Sequence, residues 1–486
     1  AKIDSIPVST AHEDGMLGLA IDPEFSSNGW LYVAYSMTED TANVLDRYTL
    51  AGGQLTEQKQ LLKVPTQRKQ CCHQCGALEF GPDGNLFMST GDDTNPFASD
   101  GFAPLDERED RTYWDAQRTA ANTMDLRGKI LRIRPQNDGS YTIPEGNLFP
   151  NGEKGRPEIY VMGNRNPYRI SVDPETGWLY WGEVGPDSDT TRADRGPAGH
   201  DELNQAREAG NYGWPYFIAD NRAYHEYDFE NDEAGAAFDP ESPTNPSVNN
   251  TGATDLPPAQ PALMWYRYGE TEAFPEMGSG GRTAMAGPVY QHDSTSVAAS
   301  GLPSYYDGTL FFYEWARGIF KEIKLDASGE ILEINPFAST LTFKRPIDVE
   351  IGPEGRMYVA EWGNDFWGDE EAQIVRLLYD PKEKSERSDT SDEEEREELP
   401  TTYALTNYPN PFNPSTLIQY ELPEEARVRL RIYDATGRLV RELVDAEQTA
   451  GSYEVAFSAA DLPSGLYVTR LQAGSRVLTR KMTLVR

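Results

Sequence analysis

Short runs of alternating apolar and polar residues, separated by turn residues, recur along most of the chain. The clearest run, residues 71–93, reads CCHQCGALEFGPDGNLFMSTGDD. Its centre, GPDG at 81–84, forms a tight turn, because proline presets φ at the first corner and glycine accepts φ > 0 after it. The flanks ALEF and NLFMST are short and rich in apolar residues. The pattern therefore predicts a strand, a turn and a second strand over this stretch.

The same hairpin pattern returns four more times. Each copy has alternating apolar residues, a turn containing glycine or proline, and an aromatic-rich second strand. The copies span residues 17–36, 168–185, 305–325 and 348–363. Repeated antiparallel hairpins separated by long loops are typical of an all-β fold, and they favour a β-propeller. An irregular β-sandwich is the alternative, because its strands would also alternate.

The positions of the repeats lead to three further expectations. Residues 1–15 lead at once into a hairpin and leave no room for the outer strands that would close the ring. We therefore expect either that the chain begins partway into a longer precursor or that another segment completes the first blade. The polar stretches 93–128 and 216–260 are expected to be ordered loops around a cleft, because they contain aromatics such as Tyr113. Helical periodicity is nearly absent, and residues 200–210 (HDELNQAREAG) are the best short helix candidate.

The composition changes after residue 381. Residues 382–402 are nearly all charged or small and contain no aromatic residue, so they cannot bury enough surface to fold. Alternation returns in residues 403–486, which predicts a small antiparallel β-sandwich. We therefore predict a propeller over residues 1–381, an acidic linker over 382–402 and a sandwich domain over 403–486.

The charge of the chain restricts its partners. Among 486 residues, 79 are acidic and 44 are basic, which gives a net charge of −35. This argues against nucleic acid or an anionic membrane surface, since both require a positive face. It fits a neutral substrate or metal cations. No apolar run approaches the roughly 20 residues that span a bilayer, and the first residues have no signal-peptide pattern, so any export signal has already been removed.

Two residues of the first hairpin point to chemistry. His73 lies at the start of one strand and Asp92 just past the end of its partner, so an antiparallel hairpin brings the two side chains together. An imidazole beside a carboxylate at the mouth of a sheet forms an acid/base pair. The alternative is a histidine that caps a loop and an aspartate that closes a turn.

All three cysteines lie in the same stretch. Cys71 and Cys72 are neighbours, and Cys75 follows three positions later. Three cysteines in a chain of this length do not make a disulfide scaffold. A local disulfide within the cluster is one interpretation. A metal site is a less favoured one, because the cluster supplies too few ligands.

Six motifs, in this order, resemble the soluble sugar dehydrogenases that depend on pyrroloquinoline quinone (PQQ), the glucose/sorbosone dehydrogenase family. They are EDGMLGLAIDPEF, HQCGALEFGPDGNLFMSTGD, GKILRI, GNRNPYRISVDPETGWLYWGEVGP, DELN and GNYGWP. The resemblance covers residues 12 to about 380. It implies a six-bladed β-propeller that oxidises an aldose-type sugar at C1 with PQQ and calcium, and passes the electrons to an external acceptor.

The resemblance also implies roles for residues near the quinone. His73 matches the catalytic base, and Asp92 matches the carboxylate that supports it. Arg165 and Asn166, in GNRNP, match groups that contact the quinone oxygens. A guanidinium suits the negative charge that develops there during reduction.

Calcium ligands follow from the same resemblance. The main-chain carbonyls of Gly185 and Pro186 match the ligands that hold calcium against PQQ, and Glu202 with the carbonyl of Tyr212 resembles a second, structural calcium site. Calcium prefers oxygen ligands of this kind. The alternatives are a strand terminator at Gly185-Pro186 and an exposed helix around Glu202.

The sequence departs from the family pattern at two cations. A lysine of the family falls at Ala316, and one of two arginines falls at Ile347, whereas the other matches Arg345. Since PQQ is a tricarboxylate, these losses weaken binding. Arg317 and Arg282 are the cations expected to replace them. The rival hypothesis is a non-catalytic cell-surface propeller for glycan binding or self-assembly.

Residues 403–486 resemble the C-terminal sorting domain of the type IX secretion system. The motifs are YPNPFNPST at 408–416, IYDATGRLVREL at 432–443 and the closing SGLYVTRLQAGSRVLTRKMTLVR. This implies an immunoglobulin-like β-sandwich that engages the type IX machinery. The chain is then secreted or held at the outer-membrane cell surface. An ordinary immunoglobulin-like adhesion module is the alternative.

Overall fold

The computed structural model divides into two compact units, Ala1–Pro381 and Lys382–Arg486. The predicted acidic linker, residues 382–402, lies outside the described residues, as does the PNPFNP part of the sorting motif at 409–414. The structure describes residues 3–295, 300–364, 370–379, 403–408, 415–434, 437–459, 462–474 and 476–484.

The first unit is built almost wholly of β-strands. In chain order they are β1 (Met16–Ile21), β2 (Trp30–Ser36), β3 (Ala42–Ala51), β4 (Gln54–Pro65), β5 (Leu78–Phe80), β6 (Leu86–Thr90), β7 (Lys129–Pro135), β8 (Tyr141–Thr142), β9 (Ile159–Met162), β10 (Pro167–Val172), β11 (Leu179–Glu183), β12 (Asp201–Ala206), β13 (Gly210–Asn211), β14 (Phe217–Ile218), β15 (Arg222–Ala223), β16 (His225–Asp228), β17 (Glu233–Ala237), β18 (Met264–Tyr266), β19 (Ala284–Tyr290), β20 (Thr309–Glu314), β21 (Ile319–Leu325), β22 (Ile331–Phe337), β23 (Pro346–Ile351), β24 (Met357–Glu361) and β25 (Gln373–Leu377).

Helical structure in the described residues is limited to short turns. They are α1 (Phe25–Asn28) and 3-10 turns at Thr112–Trp114, Ala116–Arg118, Pro275–Met277 and Ser304–Tyr306. Among the described residues, no helix has the length and hydrophobicity that crossing a bilayer requires.

The larger sheets of this unit meet at one small cavity. Their strand orders are β1-β2-β3-β4, β5-β6-β7-β9-β13 with β8 on β7, β10-β11-β12-β18, β19-β20-β21-β22 and β23-β24-β25. Strands β1, β5, β10, β19 and β23 contact one another in that order, and residues of these strands line the cavity. Sheets set radially around an axis are the geometry of a β-propeller. The all-β prediction is confirmed.

Burial explains why several strands read as continuous apolar runs. β6 (LFMST) and β11 (LYWGE) are buried at every position, because both faces of these sheets pack against other parts of the fold. Aromatic side chains fill the space between sheets, with Trp181, Tyr180 and Tyr313 almost completely buried. The sheets therefore hold the loops at their ends in fixed positions.

The predicted hairpins correspond to paired strands. The first run pairs β5 with β6, with Leu78 opposite Met88. The copies at 17–36, 168–185 and 348–363 pair β1 with β2, β10 with β11 and β23 with β24. The copy at 305–325 pairs β20 with β21. This hairpin is shifted by one strand relative to the other copies, because β20 and β21 are the second and third strands of their sheet.

The helix predicted over residues 200–210 is wrong. The segment forms β12, which pairs with β11 and β18. Five of its six residues are buried, so the strand fills the interior of its sheet. Helix propensity is a weak preference, and packing of this kind overrides it.

The second unit contains two antiparallel sheets. Residues from both sheets share one apolar core, which includes Leu405, Ile418, Leu430 and Leu471. The predicted small antiparallel sandwich thus has its counterpart in two sheets around one core. The strand orders are β26 (Ala404–Tyr408), β27 (Ser415–Leu422) and β30 (Gly451–Ser458) in one sheet, and β29 (Leu439–Gln448), β28 (Ala426–Asp434), β31 (Gly465–Ala473) and β32 (Arg476–Leu484) in the other.

Candidate active site

The hairpin of β5 and β6 brings His73 and Asp92 together. His73 precedes β5 and Asp92 follows β6, and the imidazole Nδ1 lies 2.6 Å from Oδ1 of Asp92. The side chains are 4% and 0% exposed. A contact of this length, away from water, fixes the orientation of the imidazole.

Asp92 is held by further donors. Oδ1 accepts the main-chain N–H of Thr94 at 3.0 Å, and Oδ2 accepts the indole Nε1–H of Trp214 at 2.8 Å. As a carboxylate, Asp92 accepts the proton of Nδ1, so Nε2 of a neutral His73 is left with its lone pair.

Close backbone packing supports the pair. His73 has φ of 65°, in the left-handed region that a side chain other than glycine seldom adopts. A Cβ added at Gly91 would lie 1.9 Å from the His73 carbonyl oxygen. Glycine at 91 therefore lets the end of β6 pass beneath His73.

The loop between β9 and β10 adds Arg165 and Asn166. The main-chain N–H of Asp92 donates to the carbonyl of Arg165 at 2.8 Å, and Glu183 Oε1 accepts the main-chain N–H groups of Arg165 and Asn166. Arg165 Nη1 donates to the carbonyl of Val184 at 2.8 Å. The amide oxygen of Asn166 is buried with no hydrogen-bond partner among the described residues, so this amide can take a ligand.

Burial acts strongly on Glu183. It raises the pKa of this carboxyl well above the ordinary value, and the N–H groups of Asn166 and Arg165 oppose that shift. Glu183 thus braces the loop that carries both predicted ligands.

Gly185 and Pro186 follow β11 on the side of Arg165. The N–H of Gly185 donates to Oδ1 of Asp201 at 3.1 Å, and the carbonyl of Pro186 accepts Nη2 of Arg282 at 2.7 Å. Arg282 also pairs with Asp201, at 2.7 Å. The donor set expected for calcium here does not fit a divalent cation, because a guanidinium already occupies the Pro186 carbonyl.

Glu202 is buried on β12 and does not lie on an exposed helix. Its oxygens accept the N–H of Ala219 and the amide of Asn204, and burial raises its pKa to about 7. The amide oxygen of Asn204 has no partner among the described residues. Tyr212 follows β13, with its ring 4.6 Å from that of Trp181. Glu202 and Asn204 together supply oxygens of the kind a calcium ion requires.

The remaining predicted cations, Arg317 and Arg345, make their contacts with residues other than His73. Arg317 donates to the carbonyls of Gly281, Met277 and Arg267, so it is held by the loop before β19. The guanidinium of Arg345 lies 4.8 Å from the ring of Trp315. The N–H groups of Arg317 already donate to main-chain carbonyls, which argues against its expected role in binding the cofactor.

The cysteine cluster resolves into a disulfide and a thiol. Cys71 and Cys72 are joined, and Cys75 is free and buried. The carboxyl of Glu13 lies beside both sulfurs of the pair, but sulfurs in a disulfide are not the thiolates that bind metal. The local disulfide is the interpretation that the structure supports.

Sequence reasoning missed Trp214, Glu183 and Asp201. Trp214 lies in GNYGWP, and its indole N–H needs a partner once buried; that requirement was the available signal. Glu183 ends a strand, and Asp201 precedes Glu202 in HDELN. Nothing in the sequence pairs them with Arg165 or Arg282.

The comparisons with known proteins identify the chain as an oxidoreductase built on an all-β scaffold. The sequence profile of the Glucose / Sorbosone dehydrogenase family matches residues 1–255, and the chain belongs to that family. The profile of the secretion system C-terminal sorting domain matches residues 406–485.

Individual relatives agree with this placement. Quinoprotein glucose dehydrogenase B of Acinetobacter calcoaceticus is 26% identical over 369 residues, which cover 71% of this chain and 72% of that protein. An aldose sugar dehydrogenase of Escherichia coli is 26% identical over 222 residues, or 44% and 50% of the two chains. A solved oxidoreductase of Thermus thermophilus, described as a glucose dehydrogenase, has a TM-score of 0.51 at 22% identity and covers 77% of this chain and 86% of its own. That last likeness concerns the fold.

Proposed function

We propose that this chain is an exported quinoprotein that oxidises an aldose-type sugar at C1 with PQQ and passes the electrons to an external acceptor. The observation that carries the proposal is the buried contact of 2.6 Å between His73 Nδ1 and Asp92 Oδ1. Membership of the family supports the reaction class. The names of the Acinetobacter and Escherichia relatives support the cofactor and the sugar.

His73 acts as the general base. Its Nε2 accepts the proton of the anomeric hydroxyl of the sugar, while Asp92 stabilises the imidazolium that forms. General base catalysis of this kind contributes roughly 10²- to 10⁴-fold to a rate. Trp214 keeps Asp92 in place, and the buried position of His73 excludes competing water.

The residues beside His73 fit a quinone. Arg165 supplies a positive charge, and the unpartnered amide of Asn166 supplies a polar contact. PQQ supplies a two-electron acceptor when it is bound. Arg165 then stabilises the negative charge that develops on the acceptor oxygens, as fixed cations do in buried sites.

The proposed quinone site has fewer cations than the family pattern implies. Ile347 packs against an apolar cluster, and the methyl of Ala316 lies against Gly281, so neither position offers charge. We assign Arg345 and Arg282 to the anionic groups of PQQ, and Arg317 chiefly to bracing the loop before β19. PQQ is therefore expected to bind more weakly than with a full set of cations.

Calcium enters this proposal at one place. Glu202, with the amide oxygen of Asn204 and the carbonyl of Tyr212, is the structural calcium site. We assign no calcium to the Gly185 and Pro186 carbonyls, because Nη2 of Arg282 donates to the Pro186 oxygen.

The architecture and location complete the proposal. We propose that the first unit follows the six-bladed plan and that the second has an immunoglobulin-like topology. The second unit is the signal for the type IX secretion machinery, so the protein is secreted or held at the outer-membrane surface.

Reconstitution tests the function. Purified protein is mixed with PQQ and calcium, and dye reduction is followed with a panel of aldoses. We expect activity that His73→Ala abolishes. The matched control is His225→Ala, because His225 lies on the β16–β17 hairpin and bonds the carbonyl of Gly235. Absence of activity, with no quinone retained after desalting, would support the non-catalytic propeller.

A further inference from the structure

Arg282 is a buried cation that reaches the main chain of the site. Its side chain is 1% exposed, as is that of Asp201. Nη1 donates to Asp201 and Nη2 to the carbonyl of Pro186, each at 2.7 Å. Its Nε–H has no partner among the described residues. A guanidinium thus lies on the carbonyl where the family resemblance implies calcium.

The surroundings hold this guanidinium in place. Asp201 Oδ1 also accepts the N–H of Gly185, and its Oδ2 accepts the N–H of Ala284 at 3.0 Å. The ring of Tyr268 lies 4.1 Å from the guanidinium carbon. The guanidinium is therefore held by Asp201 and the Pro186 carbonyl, and only its Nε–H lacks a partner among the described residues.

Glycines bring the chain segments into direct contact. A Cβ added at Gly199 would lie 1.6 Å from the Pro186 carbonyl oxygen and 3.3 Å from Nη2 of Arg282. A Cβ at Gly185 would lie 1.7 Å from the carbonyl oxygen of His200. The backbone around Pro186 is packed for contact with Arg282.

A divalent cation would conflict with this arrangement. Calcium needs six to eight oxygens at about 2.3–2.6 Å. At Pro186 it would lie beside a fixed positive charge, and the carboxylate of Asp201 is already paired with Arg282. Like charges at this separation repel strongly in a buried site.

We propose that Arg282 replaces the divalent cation of the quinone site, so the site binds its electron-rich, anionic ligand without calcium. The identity of that ligand rests on the proposed function. The charge at Pro186 comes from the protein itself, and the unpartnered Nε–H of Arg282 is a remaining donor. Arg165, bonded to the carbonyl of Val184 two residues earlier, lies beside it as a second cation.

The first test measures PQQ binding by quenching of tryptophan fluorescence, with equilibrium dialysis as a check. Full-length protein is stripped with EDTA and assayed with and without calcium. We expect dissociation constants within about twofold of each other, and at least a tenfold weakening in EDTA for Arg282→Gln. Arg195→Gln is the control, because Arg195 is equally buried and bonds the carbonyl of Ser99.

The outcomes separate the two proposals. Binding by the unaltered protein only when calcium is supplied overturns the role of Arg282 and leaves the oxidoreductase intact. Binding in neither condition overturns the quinone ligand, and the calcium measurement below then decides the role of Arg282.

The second test needs no quinone. Arg282→Ala frees the Asp201 carboxylate and the Pro186 carbonyl, so calorimetry should show one calcium equivalent more than in the unaltered protein. The double variant Asp201→Asn, Arg282→Gln should show no gain, and it avoids an unpaired buried charge if the single variant does not fold. Unchanged calcium binding by a folded Arg282→Ala, or gain by the double variant, overturns the proposal.

Discussion

Trp214 donates its indole N–H to Oδ2 of Asp92 at 2.8 Å, across 122 positions of sequence. The same carboxylate holds His73 through its other oxygen. Trp214 thus links a distant loop to the predicted base. The geometry of the base depends on this link.

Replacing Trp214 by Phe tests the link. We expect kcat to fall about 10- to 100-fold, because a hydrogen bond to a charged group is worth roughly 1.5–3 kcal/mol. Trp181→Phe is the control: its indole nitrogen is buried without a partner in the described part of the chain. Equal losses in both variants would contradict the link.

Asp92→Asn should cost far more. The amide carries no charge and can present its N–H to Nδ1, which favours the tautomer with the proton on Nε2. In a comparable histidine–aspartate pair this error lowers kcat by about 10⁴-fold, and we expect at least about 10³-fold here. The exposed Asp189→Asn should remain within twofold. A small effect on kcat at Asp92, with normal folding by circular dichroism, would argue against the pair.

Gly91→Ala tests the packing beneath His73. The added methyl would meet the His73 carbonyl at 1.9 Å, so the backbone must move. We expect a loss of about 2–4 kcal/mol of unfolding free energy and loss of activity, measured by denaturant melts and dye reduction. A Cβ added at Gly15 would meet no atom within 4 Å, so Gly15→Ala should change neither the unfolding free energy nor the activity by much. An unaltered melt for Gly91→Ala would show that the approach is not this close.

Glu314 gives a pH dependence of stability. Burial raises its pKa to about 8, while its oxygens accept the N–H groups of Thr283 and Arg317. The carboxyl of Glu314 keeps its proton to a higher pH in the folded state than in the unfolded state, and this proton binding stabilises the fold. The stabilisation is complete below the unfolded pKa of about 4.3 and is lost as the pH rises toward 8.

The variant Glu314→Gln should flatten that dependence. Between pH 5 and pH 8.5, its free energy of unfolding should fall less than that of the unaltered protein, by on the order of a few kcal/mol. Its melting temperature should therefore fall less as well. Exposed Glu330→Gln is the control. Parallel pH curves for all three proteins would mean that Glu314 keeps an ordinary pKa.

Export depends on the second unit. Deleting residues 403–486 in a host with type IX secretion should leave the protein inside the outer membrane, because the signal for that pathway is gone. Fractionation and immunoblotting measure this. A fusion of 403–486 to a reporter enzyme should be exported. A truncated chain that still reaches the medium would contradict the role of the tail.

Local patterns allowed part of the site to be predicted. His73 and Asp92 lie on one hairpin, whose turn and alternation are readable over 23 residues, 71–93, so their meeting follows from strand pairing. The five hairpins could be found for the same reason. The repeat of these hairpins indicated sheets around an axis.

Contacts between distant segments could not be predicted in this way. Arg282 and Pro186 are 96 positions apart, and no pattern states that a guanidinium will cover that carbonyl. The helix prediction for residues 200–210 was wrong for a related reason. Their polar and charged composition favours a helix, but the segment pairs with β11 as the third strand of its sheet.

The central claim is that His73 removes the proton of the anomeric hydroxyl of a sugar, and its most direct measurement compares an aldose with its methyl glycoside. In the glycoside the anomeric hydroxyl is blocked, and nothing else changes near the base. We predict that PQQ-loaded protein reduces dye with the aldose and yields the aldonolactone, and that it is inactive with the glycoside and in the variant His73→Ala. Dye reduction with the glycoside at a similar rate, or full activity of His73→Ala, would contradict it.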